Sequence, residues 1–221
     1  MIALTQQPST QQNTQQKLEL AQKPSLNLDL NFEQFLEQCP EDGRYELVDG
    51  KMVKILATRI HYDVAGLIMD SMKDEVKRLG LNYIVNDVAA VLTTNKKGKE
   101  QGRHPDVSVI DRDVWRSDRL NHRGMREPIQ IAVEVVSTNW EDDYIDKLDE
   151  YERMGIQEYW LVDYLAIGPR DYLGDPKQPS VLLFNLDAEG KYQLTRFQNR
   201  DRIISSTFPE LNLTVDQIVA V

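Results

Sequence analysis

The chain has 221 residues, of which 41% are hydrophobic and 28% charged, as in an ordinary globular protein. Its 26 Lys and Arg stand against 36 Asp and Glu, giving a net charge of −10. This balance argues against tight non-specific binding to DNA, because neutralisation of phosphates supplies most of that affinity. It does not exclude a local basic groove, or an acidic site bridged to phosphate by a metal.

A single cysteine, Cys39, excludes an internal disulfide and a cysteine-rich zinc site. No apolar run approaches the roughly 18 residues that suggest a membrane-spanning helix. Residues 1–20 lack the basic region and the apolar core of a secretory signal. We therefore expect a cytoplasmic protein with no membrane contact, and the length fits one domain.

The N-terminal part contains a polar stretch followed by patterned segments. Residues 1–26 are rich in Gln, Thr, Ser and Pro, so they predict a disordered polar tail in front of a single domain over 27–221. A short amphipathic helix is predicted within Asn27–Gln38. Strand-like alternation around a central Asp-Gly pair predicts a hairpin over Arg44–Leu56.

The next segments predict a long helix followed by two strands. Apolar residues at the 3.6-residue period predict the helix over Ile60–Leu79, and a glycine follows it as a helix stop. Tyr83–Thr93 predicts one strand, Asn95–Gly102 a polar loop, and His104–Ile110 a second strand. Residues 111–128 are highly charged and predicted to be irregular.

The C-terminal half has the pattern of a sheet covered by helices. Ile129–Val136 is the most strand-like segment, because it is rich in Val and Ile. The other predicted elements are a helix over Glu141–Met154, a strand over Glu158–Val162, a hairpin of Val181–Leu186 with Lys191–Phe197, and a short helix around Val215–Val219. The order predicts an α/β (α+β) fold, with a mixed central sheet flanked by helices and extra N- and C-terminal hairpins.

Two carboxylates lie where the strands are otherwise apolar. Asp106 begins one strand, and Glu134 lies inside a strand that is predicted to be buried on both faces. A buried carboxylate is costly unless it is paired, hydrogen-bonded or bound to a metal. Glu134 by itself is equally consistent with a solvated groove or an arginine partner, but together the two residues predict a divalent-metal site.

The helix after Glu134 carries a lysine that can complete this site. At about 100° per residue, Lys147 falls at the border of the apolar stripe that runs through Tyr144, Leu148 and Tyr151, so it can reach back over the sheet. Taken alone, the position favours a surface lysine paired with Asp143 or Tyr151.

These residues resemble the PD-(D/E)XK nuclease-like superfamily. The run EVVSTNWEDDYIDKLDEYERMGIQEYWLVD is similar to a large bacterial family of restriction endonuclease-like proteins, formerly a domain of unknown function, that is abundant in cyanobacteria. The segments RYELVDGKMV and FPELNLTVDQIV resemble the two ends of the same family. The resemblance therefore covers roughly residues 31–221.

The resemblance implies a restriction endonuclease-like fold and a Mg²⁺- or Mn²⁺-dependent endonuclease that hydrolyses DNA. Asp106, Glu134 and the backbone carbonyl of Val135 would bind the metal. The superfamily places a lysine two residues after the glutamate, where this chain has Val136, and Lys147 is the matching candidate from the following helix. Glu46 is a candidate third acidic catalytic residue or, equally, an exposed hairpin carboxylate.

Other polar residues are weaker candidates. His61, His104 and His122 lack metal-binding spacing, so surface or capping roles are favoured for them. His104 is the one to check, because it lies two residues before Asp106. Arginines between residues 112 and 126 are interleaved with acidic residues, which favours a solvated charged face.

Three functions remain open at this point. One is the metal-dependent endonuclease, and a second is a non-catalytic binding or interaction module that kept the nuclease fold. The third is a hydrolase of a different phosphorylated substrate, because a fold does not fix the function. Val136 and the acidic balance favour the module. Exposed sheet edges, and the analogy with nucleases that cut both DNA strands, suggest a homodimer.

Overall fold

The computed structural model describes residues 29–117 and 123–221. The helices are α1 Phe32–Gln38, α2 Arg59–Leu79, α3 Arg112–Ser117, α4 Leu148–Met154, α5 Arg170–Leu173 and α6 Val215–Val219. A π-helical turn over Asp142–Lys147 leads directly into α4. The strands are β1 Arg44–Val48, β2 Lys51–Ile55, β3 Tyr83–Asn86, β4 Ala90–Thr94, β5 Glu100–Arg103, β6 Val107–Asp111, β7 Gly124–Met125, β8 Ile131–Val135, β9 Glu158–Asp163, β10 Ser180–Leu186 and β11 Tyr192–Gln198.

These strands form two mixed sheets. The larger has six strands in the order β11-β10-β9-β8-β6-β3, with β8 and β9 parallel and antiparallel pairs on either side of them. The smaller has five strands in the order β2-β1-β5-β4-β7. The predicted mixed α/β (α+β) fold flanked by helices is confirmed, and the C-terminal hairpin extends the larger sheet.

Helices cover both faces of the six-stranded sheet. Strand β8 is buried along its whole length, and its side chains alternate between two cores. Val133 and Val135 pack on the side of α2, whereas Ala132 and Val136 pack on the side of α4. Since alternate residues of a strand share a face, Glu134 projects toward α4 and the π-helical turn before it.

Helix α2 has a well-defined start and stop. The side chain of Thr58 accepts the backbone N–H of His61 and caps the first turn, while Gly80 ends the helix in the left-handed conformation at φ 65°. The buried stripe consists of His61, Val64, Ala65, Ile68, Met72, Glu75 and Val76. His61, the first residue of this stripe, lies at the end of the sheet where β6 begins.

Several predicted elements are corrected. Tyr83–Thr93 forms two strands, β3 and β4, which belong to different sheets. The Asn86 side chain accepts the backbone N–H of Val88 and turns the chain between them. The predicted loop Asn95–Gly102 ends in strand β5, which pairs with β4 despite its polar residues. Residues 111–128 are not wholly irregular, since they contain α3 and β7.

Two expectations concern residues that the structure does not describe. The predicted tail over residues 1–26 and the side chain of His122 lie outside the described residues. Within residues 29–117 and 123–221, no helix combines the length and the apolar character needed to cross a membrane.

Candidate metal centre

Asp106 lies immediately before β6 and is tied to β8 at both ends. Its backbone N–H donates to the carbonyl of Val133 at 2.9 Å, and its Oδ2 accepts the backbone N–H of Val135 at 2.9 Å. The guanidinium of Arg44 donates to Oδ1 at 3.0 Å. Burial raises the pKa of Asp106, but the contacts with His61, Arg44 and Val135 outweigh it and hold the pKa below its usual range. Asp106 is therefore a buried anion with a fixed orientation.

Glu134 is held from the opposite side by α4. The hydroxyl of Tyr151 donates to Oε1 at 2.7 Å, and Nζ of Lys147 lies 3.0 Å from Oε2. Burial raises the pKa of Glu134 well above its usual range; Lys147 opposes that rise, and the neighbouring carboxylates, Asp106 first among them, add to it. The ionised form of Glu134 therefore needs more positive charge than one lysine supplies.

Lys147 lies at the centre of a carboxylate cluster. Besides Glu134, its ammonium lies 3.1 Å from Asp143 and 3.4 Å from Glu46. Burial alone would lower the pKa of Lys147, but these carboxylates outweigh it and raise the pKa well above its usual range. The predicted pairing with Asp143 exists, yet the lysine is not a surface residue, because only 8% of its side chain is exposed.

The π-helical turn explains why the sequence pattern left Lys147 at a border. A π turn closes i→i+5 hydrogen bonds and is wider than an α turn, and such turns are frequent at functional sites. Counting at the α-helical period therefore misplaces the residues of Asp142–Lys147. In the wider turn, Asp143, Tyr144 and Lys147 are all buried.

Glu46 is buried on β1, so the alternative of an exposed hairpin carboxylate is wrong. Its residue exposure is 5%, because β5 and the π-helical turn cover it. Oε1 accepts the backbone N–H of His104 at 3.2 Å, and Oε2 lies 3.3 Å from Nη1 of Arg103. Burial raises the pKa of Glu46, but Lys147, Arg103 and the His104 N–H outweigh it and lower the pKa.

A second buried cation, Arg103 on β5, pairs with carboxylates of the cluster. Its side chain is 2% exposed and bonds Glu150 twice, at 2.7 and 2.9 Å. Its Nη1 also lies 3.2 Å from Asp142. Because Arg103 contacts both Glu150 and Glu46, it joins α4 to the hairpin of β1 and β2.

The site as a whole carries more negative than positive charge. Its carboxylates are Glu46, Asp106, Glu134, Asp142, Asp143 and Glu150. Its cationic side chains are Arg44, Arg103 and Lys147. With His61 counted as neutral, the ionised cluster has an excess of three negative charges. Such an excess in a buried region favours a bound cation.

A cavity of about 250 Å³ opens onto this cluster. The predicted residues Glu46, Asp106, Glu134, Val135 and Lys147 all line it. Backbone alternation gives the direction of the Val135 carbonyl. Val136 donates to Val162 on β9, so the N–H and C=O of Val135 point the other way, toward Asp106.

His61 and Arg44 are the residues that the sequence analysis missed. A surface or capping role for the side chain of His61 is wrong, because the residue is 7% exposed and its Nε2 lies 2.9 Å from Oδ2 of Asp106. The pattern of α2 contained the signal, since His61 precedes Val64, Ile68 and Met72 on one helical stripe. Arg44 gave no comparable signal, because its contact with Asp106 spans 62 positions of the chain.

His104 predicts a specific acid sensitivity. Its Nδ1 accepts Nε–H of Arg44 at 3.1 Å, and burial, aided by Arg44, lowers the pKa of His104 to about 4. Because the unfolded state takes up this proton first, the stability that neutral His104 retains is lost as the pH falls from 6.5 toward 4. His104→Gln should remove that part of the pH dependence.

The measurement is the free energy of unfolding in denaturant for both proteins. Between about pH 7 and about pH 4.5, the wild type should lose on the order of 2 kcal/mol more than His104→Gln. If the free energy of unfolding depends on pH in the same way for both proteins, the predicted effect of protonating His104 is wrong.

The sequence matches the model of a known protein family. A family model, Uma2, described as "Putative restriction endonuclease", matches residues 32–216, which is more than half of the chain. The chain belongs to the Uma2 family. This membership confirms the restriction endonuclease-like resemblance that the sequence predicted. No curated protein gives a significant match.

A solved structure shares the fold of this Uma2 protein. It is described as a "putative nuclease belonging to DUF820 from Anabaena variabilis ATCC 29413". The match has a TM-score of 0.63 and covers 86% of this chain and 98% of that chain, at 14% identity. At this identity the likeness shows the fold alone.

The donor atoms of the Uma2 site fit a hard divalent cation. Mg²⁺ is usually held by one or two carboxylates and keeps several waters, and Asp106 and Glu134 supply two. Among the described residues, no group of three or more His, Cys, Asp or Glu side chains could hold a metal ion as those side chains stand. The excess negative charge and the raised pKa of Glu134 both favour a cation. The Nε2 of His61 is also a buried nitrogen without a hydrogen-bond partner in the part of the chain described.

Proposed function

We propose that this Uma2 protein is a Mg²⁺- or Mn²⁺-dependent endonuclease that hydrolyses phosphodiester bonds of DNA. One observation carries the proposal: Nζ of Lys147 lies 3.0 Å from Glu134 in an acidic cluster that shares a cavity with Asp106. A lysine beside an acidic pair is the arrangement that the nuclease resemblance requires. Here the lysine comes from the π-helical turn, because Val136 occupies the position two residues after Glu134.

The metal would be held by Asp106, Glu134 and the carbonyl of Val135. When bound, it would lower the pKa of a water and neutralise charge that builds up on the scissile phosphate. Arg44 and the Val135 N–H fix the carboxylate of Asp106, and Tyr151 fixes that of Glu134. These contacts preorganise both carboxylates, so little reorganisation is needed when the substrate arrives.

Lys147 and Glu46 would act on the substrate side of the site. The ammonium of Lys147 is kept charged by its carboxylate neighbours, so it serves as a hydrogen-bond donor to the attacking water or to the leaving oxygen. Glu46 lies 3.4 Å from that ammonium and orients it. Glu46 is in this way the third acidic residue of the proposed catalytic site.

The rival function is a binding module without catalysis. The net charge of −10 favours it, because an acidic surface repels phosphates. A metal at the site is what would let an acidic cluster approach a phosphodiester. The two functions therefore differ in whether the protein cleaves DNA when a divalent metal is added.

The test is cleavage of supercoiled plasmid and of single- and double-stranded oligonucleotides with Mg²⁺ or Mn²⁺. Glu134→Gln and Asp106→Asn should abolish cleavage, whereas Glu189→Gln in an exposed turn should cleave like the wild type. All proteins should be purified identically, because equal residual activity in every sample indicates a contaminant. If the wild type binds DNA but does not cut it with either metal, the binding module is the better function.

The homodimer and the cytoplasmic location stay predictions. Exposed apolar side chains near the site, Val53 at 46% and Leu56 at 84%, lie on or next to the edge strand β2. Sedimentation equilibrium of the full chain would test the dimer directly.

A further inference from the structure

We infer that His61 is a third metal ligand of this site, and that its imidazole makes the site prefer Mn²⁺ to Mg²⁺. This inference rests on the proposed metal-dependent function and extends it to a residue outside the acidic pair. Its two supports are the unpartnered nitrogen of His61 and the separation of that nitrogen from Asp106.

His61 is a buried polar side chain whose nitrogen lacks a partner. The residue is 7% exposed, and within residues 29–117 and 123–221 its Nε2 has no hydrogen-bond partner. Oδ2 of Asp106 lies only 2.9 Å away, which is an ion-pair distance when the imidazole is protonated, but this contact does not have the geometry of a hydrogen bond. An unsatisfied buried nitrogen costs free energy. A metal on the cavity side would remove that cost.

The separation of the two atoms suits adjacent metal ligands. For an octahedral ion with bonds of roughly 2.1 Å, neighbouring ligand atoms lie roughly 3.0 Å apart. The Nε2–Oδ2 distance of 2.9 Å agrees with that edge. His61 and Asp106 also line the same cavity as Glu134 and Val135.

Asp106 has an oxygen available on that side. Arg44 occupies Oδ1, while Oδ2 accepts one N–H from Val135. A carboxylate oxygen has a second lone pair, so Oδ2 can bind a metal without losing the Val135 contact. The side chains thus leave Oδ2 and His61 Nε2 as neighbouring donors.

The first turn of α2 fixes the position of His61. Thr58 caps α2 through the backbone N–H of His61 at 3.3 Å, and the helix then packs its stripe on the sheet. The imidazole is buried in that position. A ligand carried on a capped, buried helix end is preorganised for binding.

An imidazole ligand changes which metal is preferred. Mg²⁺ favours oxygen ligands, whereas nitrogen ligands raise the relative affinity of transition ions such as Mn²⁺. We therefore expect the wild type to bind Mn²⁺ about tenfold or more tightly than Mg²⁺. Without the imidazole, the two affinities should approach each other.

The experiment measures metal binding by the full-length protein in the absence of DNA. Calorimetric titration gives the Mn²⁺/Mg²⁺ affinity ratio for the wild type, His61→Gln and His61→Ala. The glutamine variant can still donate a hydrogen bond to Asp106, so it retains any purely orienting role of His61. His104→Gln is the matched control, because His104 lines the same cavity but its Nδ1 is bonded to Arg44.

Electron spin-echo envelope modulation of bound Mn²⁺ gives an independent measurement. A directly coordinated imidazole nitrogen should modulate the echo in the wild type and in His104→Gln, but not in His61→Gln. The affinity ratio should fall to near one in both His61 variants and stay unchanged in His104→Gln.

Three results would overturn the inference: no nitrogen modulation in the wild type, an equal loss of both metals in His61→Gln with the ratio preserved, or no metal binding at all. Nitrogen modulation in a protein that does not cleave DNA would support His61 as a metal ligand and would contradict the proposed endonuclease function.

Discussion

Lys147→Ala should lower the rate constant of DNA cleavage by about 10²–10³-fold, the usual effect of losing one preorganised donor at a reacting oxygen. The affinity for Mg²⁺ should not fall with it. Lys147 is a cation 3.0 Å from Glu134, so its removal frees that carboxylate and should strengthen metal binding. Rate and metal affinity should therefore change in opposite directions.

The measurements are single-turnover cleavage and Mg²⁺ titration on the same protein samples. Lys77→Ala is the control, because this lysine is 77% exposed on α2 and pairs with Asp74 on the same helix. A parallel loss of cleavage and of Mg²⁺ binding in Lys147→Ala would mean that the lysine maintains the structure of the site and has no direct part in the chemistry.

Arg103→Met should destabilise the fold by about 3–5 kcal/mol, the range for removing one partner of a buried ion pair. The guanidinium is 2% exposed and is shared by Glu150, Glu46 and Asp142. Methionine fills similar space but removes the cation from Glu150 and Asp142, and it leaves Glu46 with Lys147 as its cation. An anion buried without its partner is costly.

Denaturant unfolding at neutral pH measures the effect. Arg78→Met is the matched control, since that arginine is 45% exposed and pairs with Glu75 on its own helix and with the exposed Glu210. Its loss should cost at most about 1 kcal/mol. The combination of Arg103→Met with Glu150→Gln should recover part of the loss. Similar midpoints for the two single variants would refute a stabilising role for Arg103.

Local pattern was sufficient for most elements of the fold. The Asp-Gly pair predicted the hairpin of β1 and β2, and the helix stop at Gly80 was confirmed at φ 65°. The terminal helix Val215–Val219 was predicted at its observed bounds. These features depend on neighbours within a few positions, so a single sequence contains their causes.

Sheet membership was outside the reach of local pattern. Strands β3 and β4 were predicted as one strand but belong to different sheets, and polar β5 is a strand because β4 and β1 pair with it. Strand pairing joins residues far apart in the chain. Local composition therefore predicts it poorly.

Within the candidate site, the acidic pair and the lysine were predicted from the sequence. Asp106 and Glu134 stand out because a carboxylate in an apolar strand needs a partner, and Lys147 stands out through its place beside the apolar stripe and through the family resemblance. Their roles in catalysis remain predictions, and the proximity of their side chains is what the structure adds.

The surroundings of these residues depend on contacts between distant segments and could not be predicted from local sequence. Glu46 is buried because β5 and the π-helical turn cover it, and Arg44 and His61 reach Asp106 from separate elements. The pKa of Glu134 is raised by burial and by carboxylates from different parts of the chain. Electrostatic interaction depends on distance and on the exclusion of water, and both are set by packing between segments that the sequence keeps apart.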